Sequence, residues 1–146
     1  MAKTIYTAEA TVTGGREQGH GRSSDGELDV TLRPPDQGGG TNPEQLFAVG
    51  FAACFEGALG AVARRQRVDT GDVSIDSRVS LVAQNDRTYS IAVTLDVTLP
   101  DVGDPAQAAG IVEAAHQVCP YSNATRGNIE VQLIANGAPV GENAPA

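Results

Sequence analysis

Two alternating apolar runs joined by a polar turn constrain the fold of this chain more than any other feature. Val73, Ile75, Val79 and Leu81 form the first run, with Ser77 interrupting it. Asn85 and Asp86 turn the chain, and Tyr89, Ile91, Val93, Leu95, Val97 and Leu99 form the second. A period of two puts each set on one face of a pleated strand. Two such runs across a turn predict a long antiparallel hairpin with one buried face.

Shorter runs of the same period extend this pattern. Tyr6, Ala8, Ala10 and Val12 alternate up to Gly14-Gly15, and Leu28, Val30 and Leu32 alternate up to Pro34-Pro35. Ile129, Val131 and Leu133 predict a last short strand. The segment from Gly137 holds glycines and prolines without periodicity and reads as a loosely held tail. Two helices interrupt the strands. One starts near residue 42, either with a Thr41/Glu44 capping box or with Asn42 as cap and Pro43 in the first turn, and runs to about Arg64. The other starts at Asp104-Pro105 and ends at Cys119, because Pro120 disfavours helical geometry in the residue before it. Strands, helix, hairpin, helix, strand is an α+β order with mainly antiparallel sheets. The 146 residues, 40% of them hydrophobic, fit a single domain, 1–146, with a sizeable core.

The first helix has unusual faces. Phe47, Phe51 and Phe55, the only phenylalanines present, make one stripe, and Gly50, Cys54, Gly57, Ala58 and Ala61 make a stripe of small residues beside it. Each interior glycine costs about 0.8–1 kcal/mol relative to alanine, so close approach of another backbone is the expected compensation. Taken alone, the simpler reading is ordinary core, with Cys54 used as a small hydrophobe. On the second helix Val112, His116 and Cys119 share a face, which makes Cys119 a helix-end thiol freer to move than Cys54. A disulfide between them needs Cα atoms within about 4.4–6.8 Å, a distance the sequence does not fix.

Charge narrows the partners. A net charge of −8 and a pI near 4.5 argue against nucleic acid and anionic membranes. The start MAKTIYTAEA lacks the basic and apolar regions of a secretion signal, and the apolar run at 46–55 is too short to span a bilayer. The expected compartment is the reducing cytoplasm, where two cysteines are more readily inert or chemical than a structural staple.

Three blocks carry a resemblance to a known family: GGTNPEQLFAVGFAACFEGAL, VCPYSNATRGNIEV, and TVTGGR with SSDGELDV. Together they resemble the organic hydroperoxide resistance (Ohr) proteins of the OsmC/Ohr family, over most of the chain. The resemblance implies an intertwined homodimer in which sheets enclose two central helices. It implies a thiol peroxidase that reduces alkyl and fatty-acid hydroperoxides to alcohols. Cys54 would be the peroxidatic thiol, passing through a sulfenic acid, and Cys119 would resolve it as a Cys54–Cys119 disulfide. Arg16 and Glu44 would be the polar partners, with Arg22 a rival for the arginine role. No bound cofactor is implied; a lipoyl dithiol on a lipoylated protein would be the reductant. The OsmC subgroup, of broader specificity, is the close alternative.

The chemistry is coherent without the family. A thiolate cleaves the peroxide bond, and a second thiol condenses with the resulting sulfenic acid. Neither cysteine is expected at a helix N-terminus, so a cation must favour the thiolate. With one lysine and nine arginines, arginine is the expected choice, and once buried it needs a carboxylate. Phe47, Phe51 and Phe55 would seat the apolar part of a substrate. Glu44 precedes Cys54 by ten positions, roughly 15 Å along a helix. A shared site would therefore take Glu44 from the other subunit. Other readings compete: a zinc site from His20, His116, Cys54 and Cys119; a non-enzymatic redox sensor; and a small-molecule binding domain with incidental cysteines. His116 also reads simply as a partly exposed or hydrogen-bonded core residue. The glycines at 38–40 lack the lysine of a phosphate-binding loop.

Overall fold

The computed structural model describes residues 2–141. The chain divides into two compact units, Met1–Leu46 and Phe47–Ala146.

The first unit is a three-stranded antiparallel sheet in the order β1 (Ala10–Thr13), β2 (Gly19–Ser23), β3 (Asp29–Leu32). The first strand starts four residues later than the alternation from Tyr6 predicts: Ile5 and Tyr6 are exposed and unpaired in the sheet. The middle strand, GHGRS, has no alternating apolar residues and was not expected. Gly21 explains it, since an added Cβ would already touch the methyls of Val12 and Val30 at 3.6 Å on either side. At Gly19 a Cβ would stand 1.8 Å from the Gly15 carbonyl oxygen, so only glycine fits there. Gly14 and Gly15 close the β1–β2 turn with φ of 74° and 65°, where a side chain would be strained. Thr41 then docks on β3: its N–H donates to the Thr31 carbonyl (2.8 Å), and its carbonyl accepts from Arg33 (2.9 Å).

The helix α1 (Pro43–Gln66) is capped by Asn42, whose Oδ1 accepts the Gln45 N–H at 2.9 Å. Asn42 therefore wins over Thr41, whose hydroxyl donates instead to Gln45 Oε1. By length and composition α1 could cross a membrane, with a mean hydropathy of 1.8 in its most apolar window. At 24 residues the helix is longer than the apolar run at 46–55. Its residues Phe51, Phe55, Leu59 and Val62 are buried in the core of the second unit.

The second unit's sheet has the order β4 (Ser74–Ala83), β5 (Tyr89–Thr98), β6 (Val131–Ala135), β7 (Ala138–Val140). The expected hairpin pairs ten residues, from Ser74 opposite Thr98 to Ala83 opposite Tyr89. Its buried face is unequal. Val93, Leu95 and Val97 of β5 are fully buried, whereas Ile75 and Val79 are half-buried and Leu81 is exposed. The pairing of β5 with β6 is parallel, the exception to the antiparallel rule here. It requires a long crossover, supplied by α2 (Pro105–Val118) and α3 (Pro120–Thr125). Asp104 caps α2 by accepting the Ala106 N–H at 3.1 Å, and Ala108, Ile111, Val112 and Ala115 face the core.

The segment from Gly137 departs from its predicted looseness. Asn136 and Gly137 have φ of 48° and 86°, the left-handed pair of a tight hairpin turn, and Ala138–Val140 returns as β7 against β6. Asn136 also braces the turn, accepting the Leu99 N–H at 2.7 Å and donating to the Leu99 and Val102 carbonyls. The remainder of the expected tail, 142–146, lies outside the described residues.

Candidate active site

Cys54 sits mid-way along α1, and Cys119 is the single residue between α2 and α3. Pro120 forces the break: Cys119 has φ −61° and ψ 125°, extended rather than helical. Its N–H still closes α2 on Ala115, and its carbonyl accepts from Asn123 as α3 begins. Arg126 ties the joint from outside, donating to Asn123 Oδ1 at 2.9 Å and to the His116 carbonyl. This corrects two expectations. Cys119 is fully buried and braced, not the freer thiol, and Cys54 is the half-exposed one. Cys119 is also the N-cap of α3, so a cysteine does stand at a helix N-terminus after all.

The two sulfurs, 65 positions apart in sequence, are 3.6 Å apart in space. Burial pushes the Cys54 thiol above its ordinary value; the Tyr121 backbone N–H pulls it down, and Cys119 adds to the rise.

Tyr121 is the residue that sequence reasoning missed. Its N–H faces the Cys54 sulfur. Its ring packs at 5.7 Å against both Phe47 and Phe51. Gly50 makes room for it: an added Cβ would stand 3.3 Å from the Tyr121 hydroxyl. One of the costly glycines of α1 is thus explained by a tyrosine ring rather than a backbone. The signal was available, as an aromatic two positions after Cys119 in a block already singled out.

The phenylalanine stripe divides. Phe51 and Phe55 are fully buried by the chain itself and belong to its core, with no surface of theirs open in the single chain. Phe47 is half-buried and borders two hollows. One, of about 420 Å³, lies between Phe47, the β4–β5 residues Leu81, Tyr89 and Ile91, and Ile129. The other, of about 240 Å³, is walled by Phe47, Tyr121, Ala124 and Thr125.

In the first unit, Arg16 Nη2 donates to both carboxylate oxygens of Glu44, at 2.6 and 2.7 Å. The bond to Arg16 holds the Glu44 carboxyl below the usual range, against the opposing effect of its burial. Arg16 itself is 45% exposed in the single chain. Arg22 goes elsewhere, with its Nε 3.6 Å from Asp29, which also pairs with His20. Among the described residues no three His, Cys, Asp or Glu side chains gather as a metal site. His116 is half-exposed beside Glu113, Arg126 and Glu130.

A family model described as OsmC-like protein matches residues 34–134, a span that holds both thiols. The chain belongs to the OsmC-like family. It is 52% identical over 137 residues to an organic hydroperoxide resistance protein of Xanthomonas axonopodis pv. citri, covering 90% of this chain and 94% of the relative. The Bacillus subtilis protein OhrB, of the same description, is 48% identical over 134 residues. Its crystal structure superposes with a TM-score of 0.84, covering 90% of this chain and 98% of OhrB. A Vibrio cholerae structure, described as an organic hydroperoxide resistance protein with captopril in one active site, gives a TM-score of 0.89 at 39% identity, covering 94% of this chain and 96% of that one. All three of these similar proteins are described as organic hydroperoxide resistance proteins.

Proposed function

We propose that this protein is a thiol peroxidase that reduces organic hydroperoxides to alcohols. The observation that carries the reading is the pair of free thiols 3.6 Å apart, one half-exposed and one buried, beside an apolar hollow. The Cys54 thiolate attacks the outer peroxide oxygen, the O–O bond breaks, and the alkoxide leaves as alcohol after taking a proton. Cys54 is then a sulfenic acid. The Cys119 thiol condenses with it, releasing water and forming the disulfide. The sulfurs must close from 3.6 Å to about 2.05 Å. A lipoyl dithiol carried on a protein returns both cysteines to thiols, consistent with a cytoplasmic setting.

Burial alone works against the thiolate at Cys54, so a cation is required. We assign that role to Arg16, oriented by Glu44, from the partner of a homodimer. Support for a partner comes from α1, where Val49, Ala53 and Gly57 are exposed and nothing lies within 4 Å of a Cβ at Gly57. The test is steady-state turnover with dihydrolipoamide and cumene hydroperoxide. Wild type should turn over, Cys54→Ser should not react, and Cys119→Ser should react once and stall. Sustained turnover by Cys54→Ser would end the reading, and a single oxidation by wild type without turnover would favour a redox sensor.

A further inference from the structure

The spacing of the two reduced thiols has a second chemical meaning, independent of peroxide. A disulfide requires the sulfurs to approach by about 1.5 Å. A single atom bridging them at their present distance requires no approach at all. With bonds to sulfur of about 2.3 Å, the length known for zinc thiolates, a 3.6 Å span subtends an angle of about 103° at the bridging atom. That is the angle of a pyramidal or tetrahedral centre. A linear two-coordinate ion such as Cu(I) or Hg(II) would need the sulfurs about 4.6 Å apart on the same bond length, about 1 Å beyond their present span. A tetrahedral zinc ion fits the angle but needs four ligands. Among the described residues no third His, Cys, Asp or Glu side chain joins the pair.

A centre that suits this site must therefore be thiophilic, pyramidal, satisfied by two protein sulfurs, and supplied with its own third substituent. We propose that the reduced Cys54–Cys119 pair is a chelating site for organic trivalent arsenicals, aryl arsenicals above all. The step balances without redox change. The arsenic–oxygen bonds of an aryl-arsenic(III) oxide are replaced by two arsenic–sulfur bonds. Each thiol gives up its proton, and the oxygen leaves as water with both. Arsenic stays trivalent. Cys54, the half-exposed thiol, reacts first, and the buried Cys119 closes the ring. The aryl group has a neighbouring apolar hollow walled by Phe47, Tyr121 and Ala124, with Tyr121 also touching Cys54 through its N–H. Both thiols belong to one compact unit, so little chain entropy is lost on ring closure.

The test is intact-mass analysis of the reduced protein after one equivalent of phenylarsine oxide, followed by a wash with excess 2-mercaptoethanol. Wild type should gain one phenylarsenic unit per chain, keep it through the monothiol wash, and lose it to a dithiol. Cys54→Ser and Cys119→Ser should each lose the label completely in the monothiol wash, because one sulfur cannot chelate. Wild type oxidised beforehand to the disulfide controls for misfolding of the variants and should take up none. A label removed from wild type by monothiol, or retained equally by Cys119→Ser, would overturn the proposal. Neither outcome depends on peroxidase turnover.

Discussion

Replacing Phe51 and Phe47 by alanine, separately, should produce opposite kinds of damage. Phe51 is fully buried, with its ring 5.8 Å from Phe47 and 5.7 Å from Tyr121 in edge-on arrangements. A buried Phe→Ala change costs about 3–5 kcal/mol, including both transfer and cavity effects. Against a total stability of about 5–15 kcal/mol, that is about a fifth of the fold or more. At roughly 3 °C per kcal/mol for a chain of this size, the melting midpoint should fall by about 9–15 °C. Phe47 is half-buried and should cost about 1–2 kcal/mol on the same reasoning. Its effect should instead appear in selectivity. If a bulky hydroperoxide covers about 50 Å² of apolar surface on Phe47, the loss is about 1.3 kcal/mol, close to tenfold in kcat/KM. The assay is a thermal melt of each variant, with kcat/KM for cumene hydroperoxide and hydrogen peroxide measured well below both midpoints. Phe47→Ala should lose most of the preference for the organic substrate, and Phe51→Ala should keep it. A Phe51→Ala variant of near-normal stability but lost preference would restore Phe51 as a substrate contact and refute the division of the stripe.

Three further outcomes follow from the same geometry. The Glu44 carboxyl is held below the usual range by Arg16, so it stabilises the fold above the ordinary glutamate value and loses that effect as pH falls through the depressed one. Glu44→Gln should therefore flatten the acid limb of a melting-midpoint-versus-pH curve, and an unchanged limb would show the pair to be energetically idle. Gly50→Val should push Tyr121 aside, since even a bare Cβ stands 3.3 Å from its hydroxyl; a loss of about 1–3 kcal/mol in denaturant titration is expected, and no loss would mean that the ring moves freely. Mixing inactive Glu44→Ala and Cys54→Ser chains should return about half of wild-type activity in the mixed dimer, because one of its sites carries neither lesion. Mixed dimers that recover nothing would place Glu44 outside the partner's site.

Legibility in the sequence followed the physics of each element. The β4–β5 hairpin was readable because a one-faced pleat imposes a period of two on its residues, and α2 because Asp104 and Pro105 sit where a helix start requires them. β2 was not readable, because Gly19 and Gly21 occupy its inward positions and leave no apolar signal. α3 is too short to show a period, and β7, three residues long, carries no apolar alternation. At the candidate site, the identities of Cys54, Cys119, Arg16 and Glu44 stood out by residue type and local block. The Cys54–Cys119 pairing came from the resemblance and not from any local pattern, because a contact across 65 positions leaves no local trace. The burial of Phe51 and Phe55, and the reversal of exposure between the two thiols, depend on what the second sheet and α2 cover.

The most direct test of the account is a single turnover. Fully reduced protein would receive one equivalent of cumene hydroperoxide per chain, with the alcohol quantified and the cysteines mapped by peptide mass. The account predicts one equivalent of alcohol and a Cys54–Cys119 disulfide within each chain, while Cys119→Ser yields the alcohol with Cys54 left as a trappable sulfenic acid. Alcohol formed without oxidation of Cys54, or a disulfide joining different chains in place of the Cys54–Cys119 pair, would contradict it.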